Sequence, residues 1–251
     1  MKRQVLSLVL LSALSLTASA QKYHVSGISR TRILIDDRYA EDKAAADFLA
    51  PYRHVVDSVM SPVVGHTAHY MGSRGHESEL SNLLSDIMVW CGTKYGEQPD
   101  LGFYNLGGIR AALPEGTITF GDVNDVAPFE NKIYFCTLTG EQLLTLFRQI
   151  CAGGGSGVSK GVRVECQGKE LVSVTLNGEP IAPERKYRIA TLDYVAISSA
   201  DYQELRKGTD VHAPSDEQSN TRYLIAEYFR EQESKGVVVE CRIEGRYVVN
   251  R

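Results

Sequence analysis

Leu101-Gly102-Phe103-Tyr104-Asn105-Leu106-Gly107-Gly108-Ile109-Arg110 is the stretch on which the reading turns. Leu101 to Asn105 reads as a short buried strand, and it runs directly into a glycine turn at Gly107-Gly108. Glycines placed after a buried strand let a ligand approach the backbone. Asn105 offers both a donor and an acceptor to a heterocycle edge, and Arg110 is suited to phosphate oxygens. Eighteen residues after Arg110, Pro128-Phe129-Glu130-Asn131 puts an aromatic ring in a polar loop, where it has most to gain if something flat stacks on it. Each feature also has a plain reading, with the glycines a simple turn and Phe129 a core residue.

The surrounding pattern mixes helices and strands without regular βαβ spacing. From Asp42 to Met60, Ala46, Phe48, Leu49, Tyr52, Val55, Val56, Val59 and Met60 recur at helical spacing, with a kink expected at Pro51. Glu77 to Trp90 is a second helix, and Thr139 caps a third that runs through Cys151. Strands are predicted at Thr31–Ile35, Thr117–Phe120, Ile133–Leu138, Val162–Glu165, Leu171–Leu176, Tyr187–Ala190 and Val237–Ile243. Asn177-Gly178 is a hairpin signal. Gly121–Asn131 is predicted as a loop, Ala152–Gly161 as a flexible Gly/Ser segment, and Arg222–Gln232 as a late helix. The class is α+β: a single domain with a mixed or antiparallel sheet and packed helices.

Composition and the N-terminus bound the function. Lys2 and Arg3, the apolar run Val5–Leu16 and Ala18-Ser19-Ala20 have the layout of a secretory signal peptide cleaved after Ala20. This predicts export to the periplasm or the medium; an uncleaved N-terminal anchor is the alternative. The expected organisation is a signal at 1–20, an arm at 21–41 and one domain at 42–251, with no later run long enough for a membrane span. The chain carries 27 Lys+Arg against 31 Asp+Glu, a net charge of −4. That balance gives no footprint for nucleic-acid binding. Five cysteines, Cys91, Cys136, Cys151, Cys166 and Cys241, leave at least one thiol unpaired and do not reveal the pairing.

Other motifs read weakly. Gly121-Asp122-Val123-Asn124-Asp125 looks like a metallophosphatase G-D-x-x-D, but no D-x-H, G-N-H or G-H-x-H accompanies it, and a capped turn is the preferred reading. His66, His69 and His76 have no acidic or cysteine partner at a zinc-site interval. Gly153-Gly154-Gly155-Ser156-Gly157-Val158-Ser159-Lys160 lacks the adjacent G-K of a phosphate loop and is expected to be a flexible connection. There is no G-x-S-x-G elbow.

Several motifs in order resemble the C-terminal domain of the 5'-nucleotidases. Asn105 to Arg110 is similar to its N-G-G-G-I-R signature. Glu79-Leu80-Ser81-Asn82-Leu83 with Asp86 is similar to the preceding helix, and Gly121-Asp122-Val123 through Asn131 to the loop with an aromatic platform. Leu138-Thr139-Gly140, Val158 to Arg163 and Tyr187 to Tyr194 follow in family order, so the likeness spans Asp42 to Val248. The resemblance implies a nucleoside base held between Phe129 and Tyr194, with Asn105 on the base edge and Arg110 toward phosphate. Gly107 and Gly108 would allow close approach. Where the family has G-G-D-G-[YF], this chain has Ser198-Ser199-Ala200-Asp201-Tyr202. Ala200 stands at the position of the ribose-binding Asp, and Asp201, one residue later, is the candidate for that contact. A family arginine falls at His76, with Arg74 nearby. No metal-bearing domain is read in this sequence, so no catalytic residue, metal ligand or cofactor is expected here. The divalent metal pair is expected on a separately encoded metallophosphatase chain that works with this nucleotide-recognising module. The alternatives are a non-catalytic periplasmic nucleoside-binding protein and a degenerate scaffold.

Overall fold

A computed structural model describes residues 24–250. The chain divides into two units, Met1–Phe48 and Leu49–Arg251. Of the first unit, residues 24–42 hold no helix or strand, so the strand expected at Thr31–Ile35 does not form. Ile33, Leu34 and Ile35 are exposed there. The signal-peptide residues lie outside the described part.

Helix α1, Lys43–Met60, spans the division between the units and runs through Pro51 without interruption. Asp42 starts it, its carboxylate accepting from the amides of Ala44 and Ala45 at 2.9 and 3.1 Å.

In the second unit, strand β1, Val63–Thr67, pairs antiparallel with β3, Gly116–Thr119. Helix α2, Glu79–Cys91, begins where Ser78 and Ser81 form a reciprocal capping box. Its start is two residues later than predicted, because Glu77 is drawn off to accept from Asn82 and from the Glu244 amide, at 2.7 and 2.9 Å. Leu80, Leu83, Leu84, Ile87 and Met88 form the buried face. Full burial of each such side chain contributes roughly 1.5–3 kcal/mol.

The central sheet has five strands in the order β10-β4-β9-β2-β5. They are β2 (Leu101–Tyr104), β4 (Ile133–Thr139), β5 (Gly157–Val158), β9 (Lys186–Leu192) and β10 (Thr209–His212). β2 runs parallel to β9, while β4 pairs antiparallel with β9 along its whole length, from Ile133↔Leu192 to Thr139↔Lys186. The sheet is therefore mixed, and all four residues of β2 are buried within it. A second sheet, β11-β6-β7-β8, comprises β6 (Val162–Gln167), β7 (Glu170–Leu176), β8 (Glu179–Pro180) and β11 (Tyr247–Asn250). Asn177 and Gly178, with φ of 53° and 84°, make the expected tight turn between β7 and β8.

Helix α3, Phe120–Val126, occupies ground predicted as loop. Thr119 and Asp122 cap it reciprocally, and Phe120, Val123 and Val126 turn inward at three-residue intervals. Helix α4, Gly140–Gly153, starts at the predicted Thr139 cap. Its last turn is tied to β6 by the Cys151–Cys166 disulfide, while Cys91, Cys136 and Cys241 are free. Helix α5, Asp193–Ile197, follows β9 directly, and α6, Thr221–Ser234, is capped by Asn220. The strand predicted at Val237–Ile243 does not form. Only Val239 bridges, to Thr67, and the last strand is instead β11, laid parallel on β6. Among the described residues no helix is long and apolar enough to cross a membrane.

Candidate functional site

The end of β2 builds the first wall. Asn105 leaves the strand in an extended conformation, and Leu106–Gly108 closes a 3-10 turn. The Gly108 amide donates to the Asn105 carbonyl at 2.9 Å. The two glycines serve different purposes. A Cβ on Gly108 would sit 2.7 Å from Asn105 Oδ1, whereas a Cβ on Gly107 would meet nothing within 4 Å. A side chain at 108 would therefore displace the Asn105 amide, while at 107 the absent side chain leaves space open. Asn105 Oδ1 is buried and has no hydrogen-bond partner. The Arg110 amide donates to the Val126 carbonyl at 3.0 Å, which ties this turn to the end of α3.

The loop after α3 builds the second wall and is lashed on two sides. From α6, the Thr221 amide and hydroxyl both donate to the Asn131 carbonyl, at 2.9 and 3.1 Å. Arg222 donates to Asn124 Oδ1 and to the Pro128 carbonyl, each at 3.1 Å. From the head of α5, Asp193 Oδ1 accepts from the Lys132 amide at 3.0 Å and from the Tyr194 amide at 2.7 Å. The Asp193 amide donates back to the Lys132 carbonyl at 2.9 Å. One carboxylate thus joins the segment carrying Phe129 to the segment carrying Tyr194.

Asn105, Gly107, Gly108, Arg110, Phe129, Asn131 and Tyr194 line a single cavity of about 300 Å³. That volume is at the lower end of small-molecule pockets. Phe129 is 43 % exposed and Tyr194 48 %, unlike the fully buried core aromatics Phe103, Phe135 and Phe147. Arg110 sets its guanidinium 5.6 Å from the Phe129 ring centroid and donates to the Gly107 carbonyl at 3.1 Å. Chemically the cavity offers two ring faces, amide side chains for a heterocycle edge, and one cation for an anionic group.

The structure does not bring every predicted residue here. Asp201 is absent from the lining. It lies in the first turn of the 3-10 helix Ala200–Lys207, its amide held by Ser199 Oγ at 3.4 Å. Its carboxyl group packs against Gly153, where a Cβ would come within 2.9 Å of it. The one-residue displacement of this carboxylate relative to Ala200 thus turns it toward the last turn of α4. Asn131, quoted in the loop motif but not taken as a site residue, does line the cavity. Of the lashing residues, Asp193 lay in the quoted stretch Tyr187–Tyr194 without a role assigned to it, and Thr221 and Arg222 lay in no quoted motif.

The weaker motifs resolve as structure. Asp122 is spent on the α3 cap, accepting from the Thr119 amide and hydroxyl at 2.8 and 2.6 Å. His66 pairs with Glu233 at 2.9 Å, His69 Nε2 lies 3.1 Å from the Cys241 carbonyl, and His76 Nδ1 lies 2.8 Å from the Gly154 carbonyl. The three histidines therefore go to three different partners. Among the described residues no group of three or more His, Cys, Asp or Glu comes together as a metal cluster. The segment Gly153–Lys160 is not a flexible connection. Ser156 is fully buried and donates to the Tyr104 carbonyl at 3.1 Å, and Gly157 and Val158 pair with β2. A cleft of about 470 Å³ beside Lys160, Arg163, Asn177 and Arg246 is larger than the aromatic cavity. Its arginines are already engaged, Arg246 by Asp86 and Glu244, and Arg163 by the carbonyls of Glu244 and Gly245.

A mixed α/β domain with an aromatic-lined cavity fed by a glycine turn and an arginine is the class that fold and site define. The sequence model described as "5'-nucleotidase, C-terminal domain" matches residues 63–207, and the chain belongs to that family. Among curated relatives, it is 28% identical over 233 residues to the trifunctional nucleotide phosphoesterase protein YfkN of Bacillus subtilis. That match covers 84% of this chain and 15% of YfkN. It is 22% identical to a 5'-nucleotidase of Vibrio parahaemolyticus, covering 74% of this chain and 34% of the relative. The chain thus spans about a third or less of these relatives. Among solved structures, the 5'-nucleotidase precursor of Thermus thermophilus superposes with a TM-score of 0.72 at 26% identity, over 84% of this chain and 44% of that one.

Proposed function

We propose that this chain is the nucleotide- or nucleoside-recognising module of a 5'-nucleotidase-type hydrolase. Residues 42–251 form the module, and the phosphoester is cleaved on a separately encoded metallophosphatase chain that holds the divalent metal pair. The observation that carries the reading is the convergence of Phe129, Tyr194, Asn105, Asn131 and Arg110 on one cavity. Stacking of a base on the two rings supplies sequence-tolerant affinity, worth roughly 1–3 kcal/mol per base. The amides of Asn105 and Asn131 read the base edge, and Arg110 takes the phosphate side. Gly107 keeps the approach open. The signal-like N-terminus supports work outside the cytoplasm, in the periplasm or the medium.

The placement of Asp201 against Gly153 favours a second reading, in which the ribose is not gripped by this chain and a nucleoside is bound without hydrolysis. One assay separates them. Purified protein lacking residues 1–20 is incubated with AMP and Mn²⁺, alone and with candidate metallophosphatase chains from the same organism. The proposal expects no enzymatic phosphate release by the protein alone and a gain in turnover with one partner. Release at enzymatic rates by the protein alone overturns the division of labour; saturable binding with no activating partner favours the second reading.

A further inference from the structure

We infer that Arg222, at the head of α6, is a positioning residue for the Phe129 half of the ligand clamp. The inference rests on the proposed role of Phe129 in binding. Arg222 lies beyond the 63–207 segment that the family model matches. It is not among the residues that line the cavity. Its fork instead spans the Asn124 side chain at the end of α3 and the carbonyl of Pro128, the residue that precedes Phe129, at 3.1 Å each. Neighbouring groups complete the brace. Thr221 holds the Asn131 carbonyl twice, Asn220 bridges to Lys132, and Tyr223 stacks on Phe120 with ring centroids 5.5 Å apart. The loop between α3 and β4 is therefore gripped at both ends by one helix start.

Two observations point to placement of the ring rather than to general stability. Phe129 is 43 % exposed, so packing against the core does not fix its pose. Both hydrogen bonds that the Arg222 guanidinium donates go to α3 and to the residue before Phe129, at Asn124 Oδ1 and the Pro128 carbonyl. Arg is suited to this task because its planar fork reaches two acceptors at once, which Lys, a point charge, cannot do.

The test compares the unaltered protein with Arg222→Ala and Arg222→Lys by amide hydrogen exchange, thermal unfolding and adenosine calorimetry, with Phe129→Ala as the binding control. In Arg222→Ala, exchange of the amides from Phe129 to Lys132 should quicken by about tenfold while β4 and β9 keep their protection. Adenosine affinity should fall about tenfold, approaching that of Phe129→Ala, with Arg222→Lys between the two. Unchanged exchange across 129–132 overturns the inference. So does loosened exchange with unaltered adenosine affinity, or a fall in melting temperature that quickens β4 and β9 equally. If the unaltered protein binds no adenosine, the proposed function fails, and the exchange comparison still decides whether Arg222 holds the loop.

Discussion

Two glycine-rich stretches of this chain look alike on paper and do opposite things. At Gly107-Gly108 the turn opens onto a cavity, and a side chain on Gly107 would meet only empty space. The second stretch, Gly153–Gly157, begins exposed but is pressed into the protein at Ser156 and Gly157. A Cβ on Gly157 would fall 2.7 Å from Ser85 Oγ and 2.8 Å from the Ser81 carbonyl, because β5 lies tight against α2. Glycine marks close approach in both places. In the first the approaching party is a ligand in our account; in the second it is another stretch of the same backbone.

The comparison can be broken most forcefully at the second region. Replacing Cys151 and Cys166 by Ala removes the tie between α4 and β6, whose partners are 15 residues apart. Under oxidising conditions this should cost about 3 kcal/mol in a denaturant titration, as expected for a loop of that size, with adenosine affinity unchanged. Next is the pair of glycine variants. Gly157→Ala should lose about 2 kcal/mol of stability through overpacking and keep its ligand affinity. Gly107→Ala should do the reverse, holding stability within about 0.5 kcal/mol while weakening adenosine binding several-fold as the methyl enters the cavity. If both variants lose only stability, the cavity is not a binding site.

The smallest effect lies in the scaffold between these regions. Arg188 donates through Nε and Nη2 to both oxygens of Glu97, at 2.7 and 2.8 Å, and His212 Nδ1 lies 2.8 Å from the same carboxylate. The Arg188 hydrogen bond, opposed by burial and reinforced by His212, holds Glu97 below its usual value of 4.5. A depressed carboxylate contributes stability above its unfolded-state value and loses it as pH falls through the folded value. Stability should therefore drop below about pH 4.5, and the drop should be shallower in Glu97→Gln. Urea midpoints measured from pH 3 to 7 read this directly, and adenosine affinity at neutral pH should not differ.

Much of the frame was legible because local signals agreed with the final packing. The Thr139 cap, the Asn177-Gly178 turn and the apolar face of α2 each specify an element from its own residues. The misses share a cause. α3 is only seven residues long, and Gly121 and Asn124 suggested a loop. Its helix is set by the Thr119–Asp122 capping box and by burial of Phe120, Val123 and Val126, which only tertiary packing supplies. Val237–Ile243 is apolar and β-branched enough to read as a strand. With Val237 and Val238 exposed and only Val239 paired, however, no neighbour was available to complete a ladder. In the site, residues on contiguous motifs were visible. Asp193 stood in the quoted stretch Tyr187–Tyr194, but its brace to Lys132, 61 residues away, was not legible, nor was the role of Arg222, which joins segments 94 or more residues apart. Asp201 falls outside the cavity lining because it stands in a 3-10 helix, where a shift of one residue turns a side chain by about 120°.

The most direct measurement is calorimetric titration of residues 21–251 with adenosine and with AMP, beside Phe129→Ala. The account predicts saturable binding by the unaltered protein and a loss of about tenfold or more in the variant, with melting temperature nearly unchanged because the ring is half exposed. Equal affinity in the two proteins, or no binding by either, would contradict the claim that this cavity recognises a nucleoside.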